Sequence, residues 1–308
     1  MEKKYIIGID LGGTNLKLAL FDLKYKIKDK IALNTALYKK KETLISAIVN
    51  AVNGFTKKHL LKNKNLLGLG LGVPGPVDAQ KGIVHFFPNI PGWKEVNLKN
   101  ILQKRLRLPI FLDNDANLMA LAEARMGSAK SYKYAVCLTL GTGVGAGIII
   151  GGKIYRGMAN LAGELGHLPL NIKGPLCNCG GRACLESYIG NRRILELAKD
   201  SFKRKISLEE LSELAKKNNK KALKIWLKVA EYLGVALSGV INLLNPDCIV
   251  IGGGVANAGK VLFKQVKRTI LKRAMPNQAR QVKIYKAKLG SDAGLIGAAI
   301  MVKEGLGR

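Results

Sequence analysis

Four residues with metal-binding side chains lie close together between positions 167 and 184. They are His167, Cys177, Cys179 and Cys184, which make up one of the chain's three histidines and three of its five cysteines. One imidazole and three thiolates are a complete ligand set for a tetrahedral structural zinc, whereas a catalytic zinc keeps one position open. The cluster therefore predicts a zinc ion that braces a loop. The C-x-C spacing is less usual than C-x₂-C, and a redox pair or unreactive thiols are the alternative interpretations.

Two carboxylates flank this cluster. Glu164 comes three residues before His167, and Glu186 comes two residues after Cys184. A loop pinned at both ends would hold these carboxylates in place against the hydroxyl groups of a polyhydroxylated substrate.

A second polar group is the segment "DNDAN" at 113–117, at a predicted strand-to-helix corner. Loops at the carboxyl ends of strands carry the chemistry of many α/β folds. Asp115 could accept a proton from a substrate hydroxyl, and the amide of Asn114 could both donate and accept hydrogen bonds. For Asp113 we expect helix capping. The aromatic segment "FFPNIPGW" suits a loop that faces a sugar, with Asn89 as its polar contact.

Three glycine-rich corners suit phosphate binding, because glycine lets backbone N–H groups approach an oxyanion. They are Asp10 with "GGTN", "GTGVGAG" at 141–147 with the Thr142 hydroxyl, and "GGGV" at 252–255. The first corner is not a Walker loop, since no "GK[ST]" follows, and not a dinucleotide fingerprint, since a strand follows the glycines. Each alone could be an ordinary turn, but three at the ends of apolar strands predict a nucleotide cleft.

The elements that must position these groups repeat along the chain. "IIGIDLGGTNLKLALF" and "AVCLTLGTGVGAGIII" both read as strand, glycine turn and strand, with Asp10 aligned on Thr139. Helices are predicted from about 41 to 58, across most of 190–245, and at the C-terminal end. Two α/β halves that each open with such a hairpin would leave a cleft between them.

The composition adds an extreme charge. The 308 residues include 51 Lys and Arg against 21 Asp and Glu, a formal net charge of +30. Such a charge is typical of binding to nucleic acid or acidic membranes. However, the lysines are spread over helix-spaced apolar segments, which favours solvated helix faces. No signal peptide and no apolar run of about 18 to 20 residues is evident, so we expect a cytoplasmic protein.

Taken together, these segments resemble the repressor/ORF/kinase (ROK) sugar-kinase family, with bacterial glucokinases as its most similar branch. The resemblance rests on "GIDLGGTNLKLALFD", "GVPGPVD", "NIPGW", "DNDAN", "LGTGVGAG", "GELGH", "CNCGGRACLES" and "IVIGGGV". It implies a duplicated ribonuclease-H-like α/β fold, shared with actin and hexokinases, with two domains and a cleft between them. The expected domains are 1–117 plus a C-terminal helix at about 292–308, and 118–291 with the zinc loop and the helical region.

The resemblance also implies roles for individual residues. Asp115 would be the catalytic base. The sugar would contact Asn114, Glu164, His167 and Glu186, with Asn89 and Gly75 as weaker candidates. ATP and its Mg²⁺ would be bound by Asp10, Gly12, Gly13, Thr14, Asn15, Lys17, Thr142, Gly143, Gly253 and Gly254. Structural zinc would be bound by His167, Cys177, Cys179 and Cys184.

The activity that follows from the resemblance is ATP-dependent phosphorylation of a hexose, most simply glucose at its 6-hydroxyl. N-acetylmannosamine, N-acetylglucosamine, fructose and mannose are alternative acceptors, and polyphosphate is an alternative donor. The repressor branch carries a winged helix before the kinase-like part, and the early position of Asp10 argues against it. A non-catalytic sugar sensor or nucleic-acid-binding protein is the remaining alternative. We expect a homodimer that binds neither membrane nor nucleic acid.

Overall fold

The computed structural model describes residues 4–13, 15–87, 90 and 92–307. The described chain forms two compact units. The first comprises Met1–Ala122, Tyr155–Ala162 and Ser291–Arg308, and the second comprises Glu123–Ile154 and Gly163–Gly290. The domain boundaries expected from the sequence remain a prediction.

The helices and strands follow the chain as numbered here. The strands are β1 (Tyr5–Leu11), β2 (Asn15–Asp22), β3 (Ile27–Asn34), β4 (Leu66–Val73), β5 (Val77–Asp78), β6 (Ile83–Phe86), β7 (Lys94–Val96), β8 (Ile110–Asn114), β9 (Ala135–Leu140), β10 (Val144–Ile150), β11 (Lys153–Tyr155), β12 (Cys248–Gly252) and β13 (Lys283–Lys286). The α-helices are α1 (Lys41–Lys58), α2 (Leu98–Leu106), α3 (Asp115–Met126), α4 (Leu185–Ile189), α5 (Asn191–Phe202), α6 (Leu208–Lys216), α7 (Lys220–Leu244), α8 (Lys260–Arg273), α9 (Pro276–Gln281) and α10 (Ala293–Gly305).

The first unit is built on a five-stranded sheet in the order β3-β2-β1-β4-β8. β1 and β2 form the expected antiparallel hairpin, while β1, β4 and β8 run parallel. Every residue of β4 is buried, as expected for a parallel strand that is covered on both faces. Since the three strands are parallel, their carboxyl ends lie at one edge of the sheet. Asp10, Gly72 and Asp113 occupy one register row there.

The second unit repeats this arrangement. Its five-stranded sheet has the order β11-β10-β9-β12-β13, in which β9 and β10 are antiparallel and β9, β12 and β13 are parallel. The order and directions match those of the first sheet strand for strand where pairings are described. The internal repeat predicted from the two glycine-cornered hairpins is therefore confirmed.

The helical region predicted at 190–245 forms α5, α6 and α7, which pack in the core of the second unit. Ser207 caps α6 by accepting a hydrogen bond from the Glu210 backbone N–H. The Glu210 carboxylate itself pairs with Arg204.

One described helix, α7, is long and apolar enough to cross a membrane by length and composition alone. One face of α7 is buried and includes Trp226, Leu233 and Leu237, and this face belongs to the same core as α8. Helices buried in a protein core can be equally long and apolar. The packing of this face in the core therefore explains the apolar composition of α7 without a membrane.

Candidate active site

The first unit carries a polar corner where β1 turns into β2. The backbone N–H of Gly12 donates to the Asn15 carbonyl at 2.9 Å and closes the turn, while Gly13 is exposed. Lys17 lies opposite Asp10 in the antiparallel register. Thr14, which was expected to contact phosphate, lies outside the described residues.

Asp10 is the partly buried carboxylate of this corner. Burial raises the pKa of its carboxyl above the ordinary value of 3.8; nearby Lys17 opposes this shift and Asp292 adds to it. The Lys17 ammonium is held by the Ser291 carbonyl at 3.1 Å. A carboxyl group that is costly to ionise without a nearby cation is suited to bind one.

The first turn of α10 packs directly on the Asp10 carboxylate. A Cβ at Gly294 would lie 2.9 Å from the carboxyl carbon of Asp10, so a larger residue there would force the carboxylate to shift. Sequence reasoning did not assign Gly294 or Asp292 to this corner. The small residues at the start of the last helix were the available signal.

Asp115 is the first residue of α3, directly after β8. The side chain of the preceding Asn114 caps this helix: its Oδ1 accepts from the backbone N–H of Ala116 at 2.8 Å and of Asn117 at 3.3 Å. Its Nδ2 donates to the Gly75 carbonyl at 3.0 Å. The Ala116 N–H also reaches Oδ1 of Asp115 at 2.8 Å. The corner predicted at "DNDAN" is therefore present, and Asn114, Asp115 and Gly75 lie together in it.

Asp113 does not cap the helix as expected. Its side chain is 2% exposed and pairs with Arg156, whose Nε and Nη2 both donate to Oδ2, at 2.9 and 2.6 Å. Its Oδ1 accepts from the Asn117 amide at 2.9 Å. Capping was wrong because Asn114 already supplies the acceptor and Arg156 arrives from a distant segment. The sequence contained no local signal for Arg156, which lies 43 residues away. Asn89, the other expected sugar contact, lies outside the described residues.

The second unit brings its two glycine corners to one sheet edge, because they follow the parallel neighbours β9 and β12. Gly253 has a φ of +82°, and a Cβ there would lie 2.2 Å from the Leu140 carbonyl oxygen. This position therefore requires glycine, whereas Gly254 has open space around it. Thr142 is exposed between Gly141 and Gly143.

Glu186 reaches this same edge from α4. The backbone N–H of Val144 donates to its Oε2 at 2.9 Å. A Cβ on Gly143 would lie 2.5 Å from that oxygen, so the absence of a side chain makes room for the carboxylate. The structure thereby brings Glu186 to the glycine corner at 141–143.

The predicted metal ligands converge in the second unit. The ligand atoms of His167, Cys177, Cys179 and Cys184 all lie within 4.8 Å of one another. Cys177 Sγ is 3.7 Å from His167 Nδ1, and the sulfurs of Cys179 and Cys184 are 3.7 Å apart. Two thiolates on a tetrahedral zinc with bonds of about 2.3 Å would lie about 3.8 Å apart. The set therefore fits a tetrahedral zinc ion, and its thiols are not disulfide-bonded.

His167 also links the metal cluster to Glu164. Its Nδ1 faces Cys177, and its Nε2 lies 3.8 Å from a carboxylate oxygen of Glu164. A metal on Nδ1 would leave the proton on Nε2. The imidazole would then present a hydrogen-bond donor on the side where Glu164 presents an acceptor.

The chain shows full-length similarity to known proteins. The family model described as the ROK family matches residues 6–305. The sequence is 33% identical over 321 residues to a glucokinase of Thermotoga maritima, covering 100% of both proteins. It is 32% identical over 310 residues to a xylose repressor of Caldicellulosiruptor bescii, covering 96% of this chain and 77% of the repressor.

Among solved structures, the crystal structure of a ROK family glucokinase from Streptomyces griseus, in complex with glucose and AMPPNP, matches with a TM-score of 0.84. The two sequences are 30% identical, and the match covers 97% of this chain and 99% of the other. This similarity confirms the duplicated ribonuclease-H-like fold expected from the sequence.

Proposed function

Because this chain belongs to the ROK family, we propose that it is a sugar kinase that transfers the γ-phosphoryl group of ATP to a hexose. Glucose, phosphorylated at its 6-hydroxyl, is the acceptor best supported, since full-length relatives at 33% and 35% identity are glucokinases. The observation that carries the proposal is this match combined with Asp115 at the start of α3, on a corner held by hydrogen bonds.

Asp115 acts as the base in this proposal. Its carboxylate orients the sugar hydroxyl and accepts its proton as the bond to phosphorus forms. Phosphoryl transfer has a loose transition state, so most of the catalysis comes from positioning and charge neutralisation. A carboxylate at a fixed helix start meets the first requirement.

The phosphates are assigned to the glycine corners. In the first unit, Asp10, Gly12, Gly13, Thr14, Asn15 and Lys17 would contact them, and in the second unit Thr142 and Gly143. Mg²⁺ bound with ATP would supply positive charge at the γ-phosphate, and the partly buried Asp10 carboxylate is the group suited to hold it. Gly253 and Gly254 would line the adenosine site.

The sugar is assigned to amide, carboxylate and imidazole groups. Asn114 in the first unit and Glu164, His167 and Glu186 in the second would bind its hydroxyls, with Gly75 and Asn89 as further candidates. Glutamates accept hydrogen bonds from hydroxyls, and the protonated Nε2 of His167 would donate one. The bound sugar would thus be recognised by both donors and acceptors.

Zinc bound by the four clustered ligands would brace the loop that carries Glu164 and His167. Four protein ligands leave no open position, so the ion supplies structure and fixes the His167 tautomer. Its contribution to catalysis is therefore to hold the sugar-binding side chains in place.

The decisive experiment replaces Asp115 with alanine or asparagine and measures kcat with glucose and ATP. We expect kcat to fall by about 10² to 10⁴-fold, the usual contribution of a positioned base, with glucose affinity largely kept. Asp200→Asn, a charge loss on the exposed face of α5, is the control. Near-normal turnover in Asp115→Ala would contradict the assignment.

A second candidate function is sugar sensing without catalysis, favoured by the similarity to the xylose repressor. Such a protein would bind sugar but show no ATP hydrolysis or phosphosugar formation in the wild type. DNA binding that is tighter than micromolar and falls with salt, without kinase activity, would select this candidate.

Donor and acceptor are best tested together. A coupled assay over glucose, mannose, fructose, N-acetylmannosamine and N-acetylglucosamine, each with ATP and with polyphosphate, would rank them. On the family resemblance, we extend the proposal to a homodimer in the cytoplasm. Analytical ultracentrifugation tests the dimer, and cell fractionation tests the location.

A further inference from the structure

Arg156 makes an unusual contact for a residue outside the predicted site. It directly follows β11, yet it belongs to the first unit, together with the rest of Tyr155–Ala162. Two of its guanidinium nitrogens converge on one oxygen of Asp113, whose side chain is 2% exposed. The Arg156 side chain as a whole keeps 31% exposure, so its site is partly open to solvent.

The other oxygen of Asp113 is bound from both sides of Asp115. Oδ1 accepts from the Asn114 backbone N–H at 2.8 Å and from the Asn117 amide at 2.9 Å. Asn114 precedes Asp115 in the chain, and Asn117 follows it in the first turn of α3. The buried carboxylate of Asp113 is thus a bridge between Arg156 and the backbone that carries Asp115.

The segment that delivers Arg156 has a second anchor. The Asn160 amide donates to Oδ1 of Asp78 at 3.3 Å. That same oxygen accepts from the backbone N–H groups of Gln80 and Lys81, at 3.1 and 2.9 Å. Two polar contacts four residues apart therefore hold the segment on the first unit and limit where the Arg156 side chain can reach.

The energetics favour a role in geometry. A buried ion pair is poor at adding stability, because an apolar pair of similar size often serves as well, but its hydrogen bonds specify one arrangement. Arginine suits that task, since its planar guanidinium offers donors in a fixed geometry that lysine lacks. The pair at Asp113 thus defines the position of the strand-to-helix corner.

We propose that Arg156 is a positioning residue for phosphoryl transfer, which acts on Asp115 through the buried carboxylate of Asp113. The inference rests on the proposed role of Asp115 as the base. Without the guanidinium, Asp113 turns toward other partners, and Asn114 and Asn117 lose their shared acceptor. Asp115 then no longer meets the sugar hydroxyl in the reactive geometry, although the sugar still binds.

The test compares Arg156→Gln, Arg156→Lys and Arg156→Gly with the wild type. A displacement of about 1 Å at a reacting group costs about 10²-fold in rate. We expect Arg156→Gln to lower kcat by about that factor, with the glucose dissociation constant within about threefold of the wild type. Arg156→Lys keeps the charge but not the paired donors, and we expect it to recover only part of kcat.

Chemical rescue distinguishes positioning from a general loss of folding. Methylguanidinium added to Arg156→Gly would occupy the vacated site through its exposed side and raise kcat at least about tenfold. The same salt should leave Arg204→Gln unchanged, since that variant loses an exposed ion pair in the second unit. All rates are referred to active sites counted by glucose titration.

The outcomes separate this inference from the proposed function. If kcat per titrated site in Arg156→Gln equals that of the wild type, or methylguanidinium restores nothing, the positioning role is overturned. If Asp115→Ala keeps its activity, the proposed base is wrong, whatever Arg156 does. If Asp115→Ala is inactive, Arg156→Gln is slowed and methylguanidinium rescues Arg156→Gly, both stand.

Discussion

Replacing Gly143 with alanine is a sharp test of the sugar-binding role proposed for Glu186. Gly143 has an ordinary backbone conformation, so alanine introduces no torsional strain. Its Cβ would, however, lie 2.5 Å from Oε2 of Glu186, whereas ordinary contact begins at 3.4 Å. The carboxylate oxygen must therefore move by about 0.9 Å.

We expect this movement to weaken sugar binding more than it lowers the stability of the fold. Glu186 is the flexible end of a side chain, and it can yield at the expense of one hydrogen bond from the Val144 N–H, worth about 1 kcal/mol. A hydrogen bond from a sugar hydroxyl to a carboxylate contributes about 1.5–3 kcal/mol. Losing it would raise the glucose KM about 10- to 150-fold, at about 1.4 kcal/mol for each factor of ten.

The assay is the glucose KM at saturating ATP, combined with the glucose dissociation constant from calorimetry and a thermal melt. Gly141→Ala is the matched control, because it lies two residues away on the same turn and a Cβ there meets nothing within 4 Å. We expect the control to keep its glucose KM. If Gly143→Ala binds glucose as tightly as Gly141→Ala, Glu186 does not bind the sugar and the reasoning fails.

Two further predictions concern the metal cluster and the buried aspartate. Cys177→Ser, or chelation of the wild type, should remove about one zinc per chain, lower the melting temperature and raise the glucose KM more than the ATP KM. Cys248→Ala, which changes a buried cysteine outside the cluster, is the control and should keep its zinc. Full activity without metal would refute the bracing role. Asp10→Asn should slow turnover yet stabilise the fold at neutral pH. The reason is that burial raises the Asp10 pKa, so the folded state binds the proton more tightly than the unfolded state. The wild type therefore loses stability as pH rises from the ordinary value of 3.8 through the raised pKa, whereas the asparagine variant does not. Urea unfolding from pH 3 to 8 tests this, and a stability difference that does not shrink below pH 3.8 would contradict it.

Short-range patterns carried much of what could be predicted. The hairpins at Asp10 and Thr142 follow from apolar runs that are broken by glycine, and their repetition indicated the duplicated sheet. The four candidate metal ligands were recognisable because chemically rare side chains fall within one short segment. A cap within "DNDAN" was predictable, although Asn114 supplies it and not Asp113, since a short polar side chain before a helix satisfies its first N–H groups.

Long-range partners could not be read in this way. Arg156 lies 43 residues from Asp113, and Gly294 lies far along the chain from Asp10, so no periodicity or spacing connects either pair. Asp113 was assigned to capping because the sequence around it offers only local partners. Its actual cation arrives from a segment that the tertiary fold brings to the first unit.

The sequence by itself thus determined which chemical groups are present, where the chain turns and which side chains could share a metal ion, because these depend on residues close together in the chain. Only the tertiary structure decided which charge is buried, which glycine makes room for a carboxylate and which arginine neutralises Asp113. Burial and ion pairing depend on segments that are distant in the chain but in contact in the fold, and a local pattern of residue types does not show which segments these are.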